Sequence, residues 1–212
     1  MVTADGYRLA KRSVTLPVPA ESEADVLIPA QSLRIMAKVC EGPVQLMVPA
    51  EKAQVYVRAG DTMVVSQKIE GQYVDYQRII PRVWNTRAVF DVGEMVEAVR
   101  LAALFSDDKF YRIALHLEPS SETAGRIAVS ATSAQMGSHD SEIVAKVEGS
   151  GLRFKLNALY LRDALNALPD GEAVFEVTAA TCPVVLKPAN SDDLLHVIMP
   201  LSYEHYDMEA VA

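Results

Sequence analysis

The sequence predicts an α+β protein built from three repeats of one half-domain unit, each a short helix packed on a small antiparallel sheet. Apolar residues at helical spacing recur three times, near residues 29–40, 91–103 and 157–168. Behind each stretch come three strand-like runs separated by turn-prone residues. The chain is 212 residues long, 50% hydrophobic and 23% charged, as expected of a soluble globular protein of one or two domains.

The first helix is expected to enter at Pro29 and run to Cys40, with Leu33, Met36, Ala37 and Cys40 on its buried side and Arg34 and Lys38 opposite. Strands are expected at 44–48, 54–58 and 62–67. The second helix opens on Asp91 as N-cap with Glu94 three residues on, the capping-box spacing, and buries Val92, Met95, Val96, Val99 and Ala103. Its strands fall at 111–117, 126–133 and 142–147. The third helix starts at the cap Asn157, buries Leu161, Ala164, Leu165 and Leu168, and stops before Pro169-Asp170-Gly171. Strands at 173–178, 184–187 and 194–199 complete that unit, and extra strands at 88–90 and 152–156 precede the second and third helices.

A helix on one small sheet has only half a core and needs a sister unit. Units two and three supply each other. The first is preceded only by the strand-like stretch 7–15, so a front half is expected to be missing from this chain. Charge supports a boundary after Pro81: residues 1–82 hold 10 basic and 9 acidic side chains, and 83–212 hold 10 and 19. The expected organisation is a partial domain over 1–82, a complete domain over 83–203 and an acidic tail over 204–212.

The net charge of −8 excludes nucleic-acid binding through a generally basic surface, so any DNA contact must be local. No apolar run approaches the ~20 residues of a membrane span, and no leader is written in Met1–Arg12, which predicts a cytoplasmic protein with no membrane partner. Cys40 and Cys182 lack a C-x-x-C partner and read as buried small apolar residues rather than a disulfide or zinc pair. Gly137-Ser138-His139-Asp140 offers triad residue types, but consecutive side chains diverge, and a hairpin turn is expected there. His116, His139, His196 and His205 have no metal-ligand spacing, and no phosphate-binding glycine loop occurs, so neither metal nor cofactor is expected. Trp84 reads either as an anchor between the two domains or as a core aromatic.

Four strings in order carry a resemblance. Thr3-Ala4-Asp5-Gly6-Tyr7-Arg8-Leu9-Ala10 resembles the T-D-G-x-R-L-A strand of bacterial DNA sliding clamps, the beta subunits of DNA polymerase III. Residues 70–81, EGQYVDYQRIIP, are similar to that family's linker G-x-F-P-D-Y-x-R-V-I-P. Residues 157–165, NALYLRDAL, match F-N-x-x-Y-L-x-D-A-L after the initial Phe, and residues 196–201, HVIMPL, resemble the closing strand V-x-M-P-[ML]. The resemblance spans nearly the whole chain, as the second half of a middle domain plus a complete last domain.

It implies the processivity-clamp fold and a non-catalytic protein that closes into a head-to-tail homo-oligomeric ring around duplex DNA without sequence readout. The implied partners are the DNA polymerase III catalytic subunit, the clamp loader and other proteins carrying short clamp-binding motifs. Carried over by motif, a peptide pocket would be walled by Gly6, Tyr7, Arg8 and Leu9, by Val74, Arg78 and Ile79 of the linker, and by Val197, Met199, Pro200 and Leu201, with Thr181 and Pro183 at its floor. Tyr7 stands where a His is common, and Val74 where Pro is usual. Arg34 and Lys38, one turn apart, are the candidate DNA-facing pair, and Tyr203 or Tyr206 of the tail could occupy the pocket as an internal competitor. The competing expectation is a truncated relic or regulatory module that binds such peptides but forms no ring.

Overall fold

The computed structural model describes residues 1–20, 22–106, 109–120 and 124–201. The acidic tail at 204–212, with Tyr203, Tyr206 and His205, lies outside the described residues. Two compact units divide the chain: Met1–Val14 joined by everything from Tyr76 onward, and Thr15–Asp75. Strand pairing draws the N-terminal hairpin, β1 (Val2–Ala4) and β2 (Arg8–Arg12), into the larger unit.

The smaller unit contains α1 (Ala30–Val39), β3 (Gln45–Met47), β4 (Gln54–Ala59) and β5 (Thr62–Gln67), with the strands paired antiparallel in that order. Met36, Val55 and Val57 form its small core, with Leu33 and Cys40 packed against them. Ala37, expected on the buried face, is exposed. Arg34 and Lys38 are exposed as expected.

The larger unit continues with β6 (Thr86–Asp91), α2 (Val92–Leu104), β7 (Arg112–Pro119), β8 (Gly125–Ser133) and β9 (Gly137–Gly149). The second half repeats the pattern as β10 (Leu152–Asn157), α3 (Ala158–Leu165), β11 (Glu172–Val177), β12 (Val184–Pro188) and β13 (Leu194–Ile198). Strand order is β1-β2-β13-β12-β11-β6-β9-β8-β7-β10, all antiparallel. The strand leading into each helix is exchanged: β6 pairs with β11 of the other half, and β10 pairs with β7. Phe90 on β6 and Phe154 on β10 meet at Phe175 on β11, with ring centroids 4.7 and 6.4 Å from it.

Both helix starts follow from their caps. Asp91 Oδ1 accepts the Glu94 N–H at 2.9 Å, and Asn157 Oδ1 accepts those of Leu159 and Tyr160 at 2.9 and 3.2 Å. On α2, Val92, Met95 and Val99 are buried as expected, but Ala98 and Ala102 are buried too, while Val96 and Ala103 are only partly covered. α2 packs against α3 as well as the sheet, and alanines let two helices approach closely.

Three further expectations are corrected. The turn between β8 and β9 occupies residues 134–136, where Ser133 Oγ accepts the N–H groups of Gln135 and Met136 at 3.1 and 3.0 Å. Gly137-Ser138-His139-Asp140 is therefore strand, paired with Ser133 back to Ser130, because the serine hydroxyl nucleates the turn three residues earlier. Cys40 and Cys182 are free thiols but only half-buried. Trp84 is 40% exposed, just ahead of β6, and is not a core residue.

Candidate functional site

Alternation of side chains along paired strands builds the floor of the site. Leu9 on β2 lies opposite Val197 on β13, which lies opposite Val185 on β12, so the three form one row across one face. All are buried, at 4, 1 and 2% exposure, in a cluster separate from the main core. Val2, Leu195, Tyr76 and Ile80 pack against that row.

The linker string supplies Tyr76 and Ile80 through one 3-10 turn, Tyr76–Arg78, in which the N–H groups of Ile79 and Ile80 both donate to the Tyr76 carbonyl, at 3.1 and 3.3 Å. Ile79 is 40% exposed on this turn, and Arg78 is exposed as well. Val74 belongs to the smaller unit and is exposed, as are Arg34 and Lys38 on α1.

The opening and closing strings are neighbours. Gly6, at φ +89°, allows the tight β1–β2 turn, in which Asp5 Oδ1 accepts the N–H groups of Tyr7 and Arg8, each at 3.1 Å. The Met199 N–H donates to the Tyr7 carbonyl at 2.9 Å, extending the β2–β13 pairing by one step. Two residues on, the Leu201 N–H donates to the Lys155 carbonyl of β10 at 2.9 Å, which fixes Pro200 and Leu201. Tyr7 and Met199 remain 57 and 40% exposed. Thr181 and Pro183 sit in the turn that feeds β12, Thr181 exposed and Pro183 half-buried.

Arg8 points the other way. Its Nε donates to Asp5 Oδ2 at 2.9 Å and an Nη to Asp163 Oδ2 at 2.8 Å, while its guanidinium carbon lies 4.4 Å from the Tyr160 ring centre. The Tyr7 ring stacks 6.4 Å from the same Tyr160. Partial burial alone would lift the Asp5 carboxyl, but the bonds from Arg8 and the Tyr7 N–H outweigh it and hold the group below the usual range. For Arg8, burial is likewise outweighed by Asp163 and Asp5, which raise its pKa. Tyr160 and Asp163, three apart on α3, thus orient the one cation of this cluster; the 157–165 string contained both, yet only the fold shows what they hold.

His196, beside Val197, faces the opposite side, with Ala10 and Leu186 as strand partners, and its Nε2 is buried without a hydrogen-bond partner among the described residues. Burial, and then the charge of Arg8, push its imidazole below the ordinary 6.5. The folded protein therefore takes up this proton less readily than the unfolded chain, so the contribution to stability is complete above about pH 6.5 and is lost as the pH falls below it. The urea midpoint is expected to fall between about pH 7.5 and about pH 5.5, and His196→Gln should flatten that slope. An unchanged slope in the variant would assign the pH dependence to other groups.

The site thus has an apolar floor, an exposed apolar rim of Tyr7, Ile79 and Met199, and an oriented arginine behind it. Two family models match the chain: the C-terminal domain of the DNA polymerase III beta subunit over residues 77–202, and its central domain over residues 1–75. The chain belongs to the DNA polymerase III beta subunit family. The beta sliding clamp of Pseudomonas putida is 28% identical over 202 residues, 94% of this chain and 53% of that one, and that of Bacillus subtilis 26% identical over 199 residues, 93% and 52%. A crystal structure of the Bacillus subtilis sliding clamp matches with a TM-score of 0.87 at 25% identity, over 95% of this chain and 53% of that chain. One from Pseudomonas aeruginosa matches in fold with a TM-score of 0.84 at 24% identity, over 95% and 55%. The fold is that of the sliding clamps, and the chain spans about half the length of the curated relatives it matches.

Val185, Tyr76 and Ile80 are the floor residues that sequence reasoning did not name; the continuous apolar run Val184-Val185-Leu186 of β12, buried on both faces, was the available signal for Val185.

Proposed function

We propose that the chain acts as a sliding-clamp component that tethers replication and repair proteins by capturing short hydrophobic peptides, and that it performs no catalysis. The observation that carries this reading is the buried row Leu9–Val197–Val185 flanked by half-exposed Ile79 and Met199. An apolar anchor laid against such a floor gains the burial of its own surface, and a thioether rim adapts to different side chains. A few anchors then dominate affinity. The partners are the polymerase catalytic subunit, the clamp loader and other proteins bearing a motif of the Q-x-x-L-F type. In a complete ring, Arg34 and Lys38 contact phosphates of an encircled duplex, in the cytoplasm.

A fluorescent Q-x-x-L-F peptide titrated against the chain is expected to bind saturably. Met199→Ala, at an exposed rim position, should weaken binding about tenfold with little change in melting temperature, since one good anchor contact contributes about 1.4 kcal/mol. Leu9→Ala should weaken it further while also lowering stability. Saturable binding that ignores both substitutions would remove this surface from the account.

A further inference from the structure

The sheet face that carries the buried row Leu9–Val197–Val185 continues into a second row, and that row is charged. Two residues along each strand, on the same side of the sheet, Lys11 follows Leu9 on β2, Leu195 precedes Val197 on β13, and Lys187 follows Val185 on β12. Lys11 lies opposite Leu195 and Val2, which both pack against the floor, and Lys187 lies opposite Val174 of β11. Both lysines are half-buried, so two cations border the apolar floor along one side.

What they hold shows the chemistry they accept. Lys187 Nζ donates to Asp192 Oδ1 at 2.9 Å and lies 3.3 Å from Glu176 Oε1. Glu176 is half-buried and shared with Arg87, 3.7 Å away, whereas the Asp192 side chain is 86% exposed on the turn that joins β12 to β13. That turn is tied to the end of β2, because the Ser13 N–H donates to the Asp193 carbonyl at 2.7 Å. The bond and the charge of Lys187, and then the charge of Lys11, outweigh slight burial and hold the Asp192 carboxyl below the usual range. Lys11 itself makes no side-chain hydrogen bond among the described residues. A carboxylate thus already lies in the field of both lysines, and it is the partner Lys187 most readily exchanges, since an exposed ion pair contributes little.

We propose that this border selects acidic ligands: a peptide captured on the Leu9–Val197–Val185 row carries an aspartate or glutamate two residues from its apolar anchor, and that carboxylate displaces Asp192 from Lys187 and pairs with Lys11. The inference rests on the peptide-binding reading of the same floor and adds the ligand's charge to it. The spacing follows from the sheet. Residues two apart along a strand lie about 6.7 Å apart on one face, and an extended ligand has the same period. An anchor over Val197 therefore puts the side chain two positions away over Leu195, with β2 and Lys11 on one side and β12 and Lys187 on the other. Asp192 is then an internal competitor, which keeps the preference modest.

Fluorescent peptides titrated against the intact chain test this: a neutral Q-A-A-L-F-A, the acidic Q-D-A-L-F-A and Q-A-A-L-F-D, which place Asp two residues before or after the leucine, and the same two with Lys for Asp. At low salt one acidic peptide should bind about threefold tighter than the neutral one and its Lys counterpart more weakly, the range of one exposed charge pair. Asp192→Asn removes the competing charge and should widen the acidic-to-neutral ratio about twofold more, whereas Lys11→Ala should shrink it. The ratio should approach one at about 1 M salt. Equal affinity for acidic, neutral and basic peptides overturns the acidic preference while leaving the floor in place, as does a ratio that both substitutions leave unchanged. Binding by none of the peptides overturns this inference together with the reading it rests on.

Discussion

Replacing Phe175 by alanine is expected to lower the unfolding free energy by about 3–5 kcal/mol, the largest loss from any single truncation in the main core. Phe175 is fully buried on β11, tilted against Phe90 at 4.7 Å and meeting Phe154 edge-on at 6.4 Å. Those two rings ride on β6 and β10, the strands that each half donates to the other. Truncation therefore opens a cavity at the point where both exchanges converge, and β11 and β6, paired on both edges, are too constrained to collapse into it. Trp84, the single tryptophan, precedes β6 in the larger unit and gives a local probe. Denaturant titration followed by its fluorescence should show one shifted transition, because both halves lose the same anchor. A shift under about 1 kcal/mol would mean that the halves do not depend on this ring.

That convergence was not legible in the sequence, although most of the elements were. Alternation in 112–119 and 172–177 says which side chains face inward, but not which strand lies alongside, so the exchange of leading strands could not be read from periodicity. The same limit explains the N-terminal hairpin. Leu9 and Val197 were readable as members of two strings, yet only pairing shows them opposite each other, and it also transfers β2 from the first repeat to the last strand of the chain. Within the linker string, the family resemblance implied Ile79, whereas the 3-10 turn rotates Tyr76 and Ile80 onto the floor and leaves Ile79 at the rim. The helix caps Asp91 and Asn157 were legible because capping is a local contact that a three-residue window contains. Ala37 was misread because helical spacing identifies a face suited to burial, and whether something covers that face depends on a sister unit.

Gly149→Ala is expected to cost about 3 kcal/mol or more, for a reason that Gly137→Ala isolates by comparison. Both glycines have positive φ, +91° and +89°, so an alanine at either place meets the penalty of a left-handed backbone, about 1 kcal/mol. Around Gly137 an added Cβ meets nothing within 4 Å. At Gly149 it would fall against the Asn85 carbonyl oxygen and lie 3.0 Å from that carbonyl's carbon, which is backbone and cannot rotate aside. The closeness has a structural origin: Gly149 is paired with Thr86 at the end of the β6–β9 ladder, and Thr86 Oγ1 donates to the Ser150 carbonyl at 2.7 Å, drawing the two chains together. Relieving the clash means parting that ladder, the only direct strand pairing among the described residues that joins β6 to its own half. Thermal melts of the two variants should therefore separate clearly, with Gly137→Ala close to the parent and Gly149→Ala well below it. Equal losses would show that the two chains are not held this close at Thr86 and that only the glycine dihedral matters.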